Sequence, residues 1–477
     1  MPGRSIILNG LLSILWIWVV TAFATAADQP SVLILLADDL RPDAIGAMGN
    51  LDVRTPHLDA LISRGTTFTR AYCMGSGSGA VCAPSRAMLL TGRHRFQLPS
   101  DFVVPWGKAS EESAPPMLPE RFRAAGWRTF GTGKWHQRRE DFHRSFDEGD
   151  AIFFGGMGPH TGLKVHTFDP TGVYDASKAE PMEAFSSTGF ADATIDFIQR
   201  QGSSDEPFFA WVAFTAPHDP RTPPAGIREG LDDSKITLPP NMLPRHPFDN
   251  GELEIRDEKL EAWPRTPGAI RRHLGEYYGM IEQLDGQVGR ILDALQQSGR
   301  ADDTIVLFLS DHGLGMGSHG LLGKQNLYEH SSRAPMVIAG PGIAPGTQRD
   351  QLLYLHDIVP WLYERAGIEA PVKLHALNPS KHSRESLVLN YRDIQRSLVE
   401  ERWKLIVYPK VGLVQLFDLE ADPHEQFNLA GTNEHAERVH HMRAALIKEM
   451  ADTGDTASIP MDLEPAPDQP NPSSPVP

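Results

Sequence analysis

The sequence predicts an α/β fold: a large central, mostly parallel sheet flanked by helices, followed by a smaller C-terminal α+β subdomain. Three observations predict it. Continuous apolar runs recur far apart in the chain, as SVLILLA at 31–37, FFAWVAF at 208–214 and TIVLFL at 304–309. Such runs lack polar alternation and mark strands buried on both faces of a parallel sheet. Helical periodicity lies between them, so strand and helix alternate over long separations. After about Pro371 the texture changes to shorter strands and one closing helix. The chain has 477 residues and is 40% apolar, enough for a sizeable core, which excludes a fibrous or wholly disordered chain.

Taken in order, residues 1–26 read as a secretory signal. Arg4 is its positive start, Ile6 to Val20 its apolar run, and Ala24-Thr25-Ala26 its small-x-small cleavage site. The run falls short of the roughly 20 residues a spanning helix needs, so no stable membrane anchor is expected. Residues 27–370 form the first and larger domain. Its strands are the three runs, with weaker candidates at Arg128 to Thr132 and Met336 to Ala339. Its clearest helix is Leu274 to Leu295, where Leu274, Tyr278, Ile281, Leu284, Val288, Ile291 and Leu295 follow three-to-four spacing. Pro- and Gly-rich stretches between Pro217 and Pro267 read as long loops. Residues 371–460 form the C-terminal subdomain, with strands at Arg402 to Pro409 and Val414 to Leu419 and a helix at Glu434 to Met450. Residues 461–477 are Pro-rich and read as a disordered tail.

Net charge is −16. An acidic chain repels polyanions, so no nucleic-acid partner is expected, and any anionic substrate must be held by a local cluster of cations. Two cysteines, Cys73 and Cys82, exclude a disulfide scaffold and a four-cysteine zinc site. The two Asn-x-Ser sequences, at Asn378 and Asn471, both have Pro in the middle and cannot accept glycans. With the signal segment, this points to an exported bacterial protein, periplasmic or extracellular.

Each of the three runs ends in ionisable residues. SVLILLA meets Asp38-Asp39, FFAWVAF leads to Pro217-His218, and TIVLFL leads to Asp311-His312. Sites in open α/β sheets form beyond the carboxyl ends of the strands, so parallel strands would bring these pairs to one rim. Asp38, Asp39 and Asp311 then form a hard, oxygen-rich cluster that needs a counter-charge. Ca²⁺ fits it best, and Mg²⁺ is the alternative. The other feature is VCAPSRAMLLTGR at 81–93. Pro84 and Ser85 suit a first helical turn, which places Cys82 just before a helix N-terminus beside Arg86. Taken alone, that predicts a cysteine nucleophile with a lowered pKa. A hard divalent cation does not favour a thiolate, so the cluster and the thiol conflict.

CAPSRAMLLTGR resembles the signature of the type I sulfatases of the alkaline phosphatase superfamily, C-x-P-S-R followed by T-G-R. Further matches are Asp38-Asp39, Gly133-Lys134-Trp135-His136, Pro217-His218 and Asp311-His312-Gly313, the last in the form of iduronate-2-sulfatase-like and choline-sulfatase-like members. Lys324 stands where that group keeps a second lysine, and LFDLEADPHEQFNL at 416–429 resembles the family's closing motif. The resemblance implies an alkaline-phosphatase-like sandwich and a sulfate ester hydrolase. It implies that Cys82 becomes formylglycine (3-oxoalanine), made by a formylglycine-generating or anaerobic sulfatase-maturating enzyme, and the hydrated aldehyde removes the conflict by offering oxygen. Implied metal ligands are Asp38, Asp39, Asp311, His312 and the modified Cys82. Arg86, Lys134 and Lys324 would clamp sulfate, His218 with Lys324 would protonate the leaving oxygen, and His136 would take the proton that lets sulfate depart. His94, His143, His160, His166 and His319 match no family position and read mainly as structural. The substrate would be a sulfated small molecule or carbohydrate. Two alternatives are a phosphonate or phosphodiester hydrolase of the same superfamily, and a sulfated-glycan-binding protein whose cysteine is never modified.

Overall fold

The computed structural model describes residues 29–99, 115–202, 204–371 and 374–468. The expected signal segment, 1–26, lies outside the described residues. The larger region contains β1 (Ser31–Ala37), β2 (Thr66–Tyr72), β3 (Gly75–Ser76), β4 (Arg128–Lys134), β5 (Glu148–Phe153), β6 (Lys164–Val165), β7 (Glu180–Pro181), β8 (Phe208–Ala213), β9 (Thr304–Ser310), β10 (Arg333–Ala339), β11 (Thr347–Arg349) and β12 (Leu353–Tyr354).

Nine strands make the central sheet, in the order β11-β2-β10-β9-β1-β8-β4-β5, with β12 also paired to β2. The stretch from β9 to β5 is parallel throughout. Only β10 runs the other way, antiparallel to both β9 and β2. The reason lies in the connection: the chain leaves β9 at the carboxyl rim, stays there to Ser332, and its next strand has to run back. The three apolar runs are the three central strands, and all seven residues of β1 are buried.

Alternation along β1 divides two cores. Val32, Ile34 and Leu36 face the helix Cys82–Thr91. Leu33 and Leu35 face the helices Ser186–Gln201 and Pro267–Gln297. Each such side chain contributes about 2 kcal/mol by leaving water, so truncating one to Ala in this layer costs about 2–5 kcal/mol. Helix Pro267–Gln297 exceeds the predicted span because Thr266 caps it, accepting from the Ala269 N–H at 3.2 Å, with Pro267 in its first turn.

The C-terminal strands are β13 (Leu387–Tyr391), β14 (Gln395–Val399), β15 (Trp403–Tyr408), β16 (Leu413–Asp418) and β17 (Glu464–Pro465). They form a second sheet in the order β17-β16-β15-β14-β13-β3, with helix Ala436–Thr453 packed on one face through Met442 and Leu446. Two expectations are corrected. The subdomain is not confined to 371–460, because β3 pairs with β13. The segment predicted to be a disordered tail starts as an ordered strand, β17, since Glu464 and Pro465 pair with Leu413 and Val414. Residues 469–477 lie outside the described residues.

Candidate active site

The carboxyl ends of β1, β4, β8 and β9 lie side by side, and the predicted pairs converge there. Asp39 has a left-handed backbone (φ 70°), a conformation Asp tolerates better than most residues. Two long-range bonds hold it: its N–H donates to Asp311 Oδ1 at 3.2 Å, and Tyr277 Oη donates to its carbonyl at 2.6 Å. The turn aims two consecutive carboxylates into one site.

Helix Cys82–Thr91 enters from the side and is buried along its whole length. Cys82 is its first residue rather than the residue before it. Ser85 Oγ donates to the Asp311 carbonyl at 2.6 Å and ties the helix to β9. Arg86 is wholly buried; its Nε donates to Asp311 Oδ2 at 3.0 Å, Nη1 to the Lys134 carbonyl at 2.6 Å, and Nη2 lies 3.7 Å from Asp38 Oδ1. Lys134 Nζ is paired with Asp38 Oδ2. Lys324 Nζ donates to Asp39 Oδ1 at 2.7 Å and lies 3.2 Å from Cys82 Sγ. His312 Nε2 is 3.3 Å from the same sulfur, and His218 Nε2 is 3.8 Å from Asp39 Oδ2. All of the predicted site residues are therefore brought together and buried, with His136 completing the same cleft wall.

The electrostatics follow from a balance of three carboxylates and three cations out of water. Burial raises Asp38, but Lys134, His218, Arg86 and Lys324 outweigh it and hold the carboxyl well below the usual range. Asp39 is held at about 2, with burial opposed by His218 and Lys324. Burial opposes the charge on Lys324, yet Asp39 holds its ammonium well above its ordinary value. Burial and the neighbouring Lys134 push His136 well below, so its imidazole is neutral. One expectation is overturned: burial and Asp38 drive the Cys82 thiol well above its ordinary pKa, so it is not a poised thiolate. The helix N-terminus and the cations do not compensate for three carboxylates at close range.

Among the described residues two buried groups could hold a metal ion: Asp38, Asp39, Cys82 and His218, and Asp38, Cys82, Asp311 and His312, each with its ligand atoms within 4.8 Å of one another. Asp38 Oδ1 has no hydrogen-bond partner among the described residues. An unsatisfied buried carboxylate oxygen in an oxygen-rich set fits a hard divalent cation. The sulfur is the misfit donor.

Other residues support the site, and His160 and His319 have the structural role expected of them. His160 bonds Ser186 Oγ at 2.7 Å and the His218 carbonyl at 3.0 Å, bracing the turn that carries His218. The C-terminal sheet holds the Lys324 loop: Gln395 accepts from the Leu327 N–H at 3.1 Å and donates to the Gln325 carbonyl at 3.3 Å. Lys404 Nζ lies between Glu329 Oε1 (2.9 Å) and Glu425 Oε1 (3.0 Å). Glu425 belongs to the closing motif, which had signalled importance without location. His319 stacks on Tyr328 behind the same loop, and Cys73 is a buried free thiol.

A family model described as Sulfatase matches residues 30–368. The chain belongs to the sulfatase family. It is a sulfuric ester hydrolase with the fold expected of that family. A second family model, N-sulphoglucosamine sulphohydrolase, C-terminal, matches residues 317–452 of this sulfatase. It is 28% identical over 468 residues to the arylsulfatase of Clostridium perfringens, covering 88% of this chain and 94% of that one. It is 30% identical over 439 residues to the choline-sulfatase of Rhizobium meliloti, covering 84% and 82%. Among solved structures, a protein in complex with its substrate D-glucosamine-2-N,6-O-disulfate superposes with a TM-score of 0.74 at 19% identity, over 90% of this sulfatase and 99% of that chain.

Proposed function

We propose that this sulfatase removes sulfate from a sulfated carbohydrate outside the cytoplasm, with Cys82 matured to formylglycine beside a bound Ca²⁺. The observation that carries the proposal is the placement of Cys82. Its side chain lies between Lys324, His312 and Asp39 in a metal-competent cluster, while its own thiol is held protonated. A protonated thiol is a poor nucleophile and a poor ligand for a hard cation. An oxygen at that position suits both tasks.

Charge supports a monoanionic ester, such as a sulfate, as the ligand. Three carboxylates and three cations cancel; a divalent cation would leave the site two units positive. A sulfate monoanion and one oxyanion nucleophile restore neutrality. Asp38, Asp39, Asp311 and His312 would hold the cation, which supplies Lewis acidity and a lowered pKa for an adjacent hydroxyl. Formylglycine at position 82 would, once hydrated, supply two hydroxyl oxygens, one as a nucleophile and one as a proton source. The chain's own groups do the rest. Arg86, Lys134 and Lys324 hold sulfate oxygens and meet the charge that develops on them. Lys324, protonated at Nζ, is the standing donor to the leaving oxygen. His218, whose Nδ1 faces the Asp219 carbonyl at 2.8 Å, presents Nε2 to the same place and shares the role when protonated. His136 faces the same cleft and would take the proton released as sulfate departs, against the burial and the Lys134 charge that disfavour its protonation. The carbohydrate substrate is supported by the C-terminal family match and by the sugar bound to the structural neighbour.

Two measurements test this. A peptide mass map of active protein, co-expressed with a maturating enzyme, should show formylglycine at position 82. Rates on matched aryl sulfate and aryl phosphodiester should favour the sulfate. Full activity with an intact thiol, or a preference for the phosphodiester, overturns the proposal.

A further inference from the structure

The cleft above Cys82 has a volume of about 400 Å³, room for one sugar-sized group beyond the sulfate. Its floor holds Cys82, His136, His218 and Lys324, and its mouth is walled by Gly79, Ala80, Met157 and Ile255. Among the described residues lining it, the one cation besides Lys324 is Arg256. That guanidinium is already occupied. Nη1 donates to Asp257 Oδ1 at 2.8 Å and to Asp219 Oδ1 at 3.2 Å, and Nη2 is bound to Asp219 Oδ2. Both carboxylates are buried, whereas the Arg256 side chain is 46% exposed. The mouth thus carries Arg256 against Asp257, with Asp219 behind them also feeling the buried Arg221, so its charges are paired with one another on an otherwise apolar wall.

These charges cannot swing away when substrate arrives, because they belong to a hydrogen-bonded belt around the opening. His218 Nδ1 meets the Asp219 carbonyl, Arg256 joins Asp219 to Asp257, and Asp257 Oδ2 accepts from Gln325 Nε2 at 2.8 Å. Gln325 Oε1 in turn accepts from the Lys324 N–H at 3.1 Å. The belt ties the rim to the two groups that face the leaving oxygen.

We infer that the mouth selects sulfate esters whose only negative charge is the sulfate being removed. A neutral sugar or another uncharged alcohol fits the apolar wall. A second sulfate or a carboxylate on the group held there meets a rim whose charges are already paired, with no free cation among the described residues that line the cleft. The floor cations are taken by the reacting sulfate and the three aspartates. This rests on the proposed sulfate seat at Cys82.

The test is a discrimination ratio rather than an activity. The value of kcat/KM is measured on a positional panel of hexose monosulfates, each matched with its counterpart bearing a second sulfate. A pair of aryl sulfates with and without a ring carboxylate is added. Wild type should favour the singly charged member of each pair. Arg256→Ala makes the rim negative and should widen the ratio by about fivefold; Asp257→Asn leaves it one charge more positive and should narrow it by a similar factor. Raising ionic strength should narrow the ratio of Arg256→Ala most, because only there is a net repulsion left to screen. Because each variant is compared with itself on two substrates, a general loss of activity does not disturb the ratio. A wild-type preference for the doubly charged member, or a ratio that does not move across the series, overturns this inference and leaves the sulfatase assignment standing. No turnover of any ester overturns both.

Discussion

Replacing Arg86 by Met is the perturbation whose size the structure sets most directly. It removes the 3.0 Å partner of Asp311, the 3.7 Å partner of Asp38 and the 2.6 Å donor to the Lys134 carbonyl. All of these groups are out of water, and the cluster changes from three against three to three carboxylates against two cations. Breaking a buried pair by deleting one partner costs about 3–5 kcal/mol, and at about 2 °C per kcal/mol for a large domain the melting temperature should fall by roughly 6–10 °C. The same guanidinium is one of the proposed sulfate clamps, so kcat/KM on an aryl sulfate should fall by about 10²–10³. Calcium separates the two effects. After chelation and re-addition of Ca²⁺, the variant should gain more in melting temperature than wild type does, because the ion offsets the extra unpaired carboxylate. Activity should stay low. Thermal unfolding and steady-state rates, each with and without Ca²⁺, read both quantities. A variant as stable as wild type without the ion, or a deficit that Ca²⁺ leaves unchanged, would refute the charge balance on which the metal proposal stands.

Two further outcomes follow from the C-terminal sheet. Burial raises the Glu425 carboxyl from 4.5 to about 7, with Lys404 opposing. Folded protein therefore binds a proton there that the unfolded chain releases above about 4.5, and this contribution to stability declines as pH rises from about 4.5 to 7. Lys404→Met removes the opposing cation, so its melting temperature should drop more than wild type's between pH 5.5 and 8; parallel slopes would count against the assignment. Gln395→Leu leaves the buried Leu327 N–H and Gln325 carbonyl without that partner, at a cost of about 1–3 kcal/mol. If Gln395 works by placing Lys324, its effect on kcat should largely vanish in a Lys324→Ala background, and equal effects in both backgrounds would show a general loss of stability instead.

The central strands were legible because β1, β8 and β9 are apolar on both faces, and their ends carried the ionisable pairs that the sheet then aligned. The direction of β10 was not legible: Met336 to Ala339 is as apolar as a parallel strand, and only the course of the chain along the rim fixes its sense. The Cys82 helix could be placed but not its burial, since a helix covered all round has no polar stripe to read. The raised thiol pKa was missed for a related reason. Helix ends and nearby cations are visible in sequence, whereas the depth of burial beside Asp38 depends on residues hundreds of positions away. Asp219 and Arg256 were hidden in a Pro-rich loop whose path no periodicity predicts. Asp219 at least stood next to His218, while Arg256 gave no signal. Glu425 was visible as part of a motif, but its partners Lys404 and Glu329 come together only through tertiary pairing.

The second sheet has a consequence for the order of events in the life of the chain. Gly75–Ser76 is stitched to Leu387–Tyr391, and the loop that roofs Cys82 is fastened by Gln395 and Glu425. On a ribosome, the early segment therefore waits for more than three hundred residues of synthesis before its neighbours exist. In the finished molecule Cys82 is 2% exposed, beyond reach of any macromolecular catalyst. On the proposal that Cys82 is matured, the change would have to come in the interval before the carboxyl-terminal half arrives, and the closing of that half would seal whatever side chain is then in place.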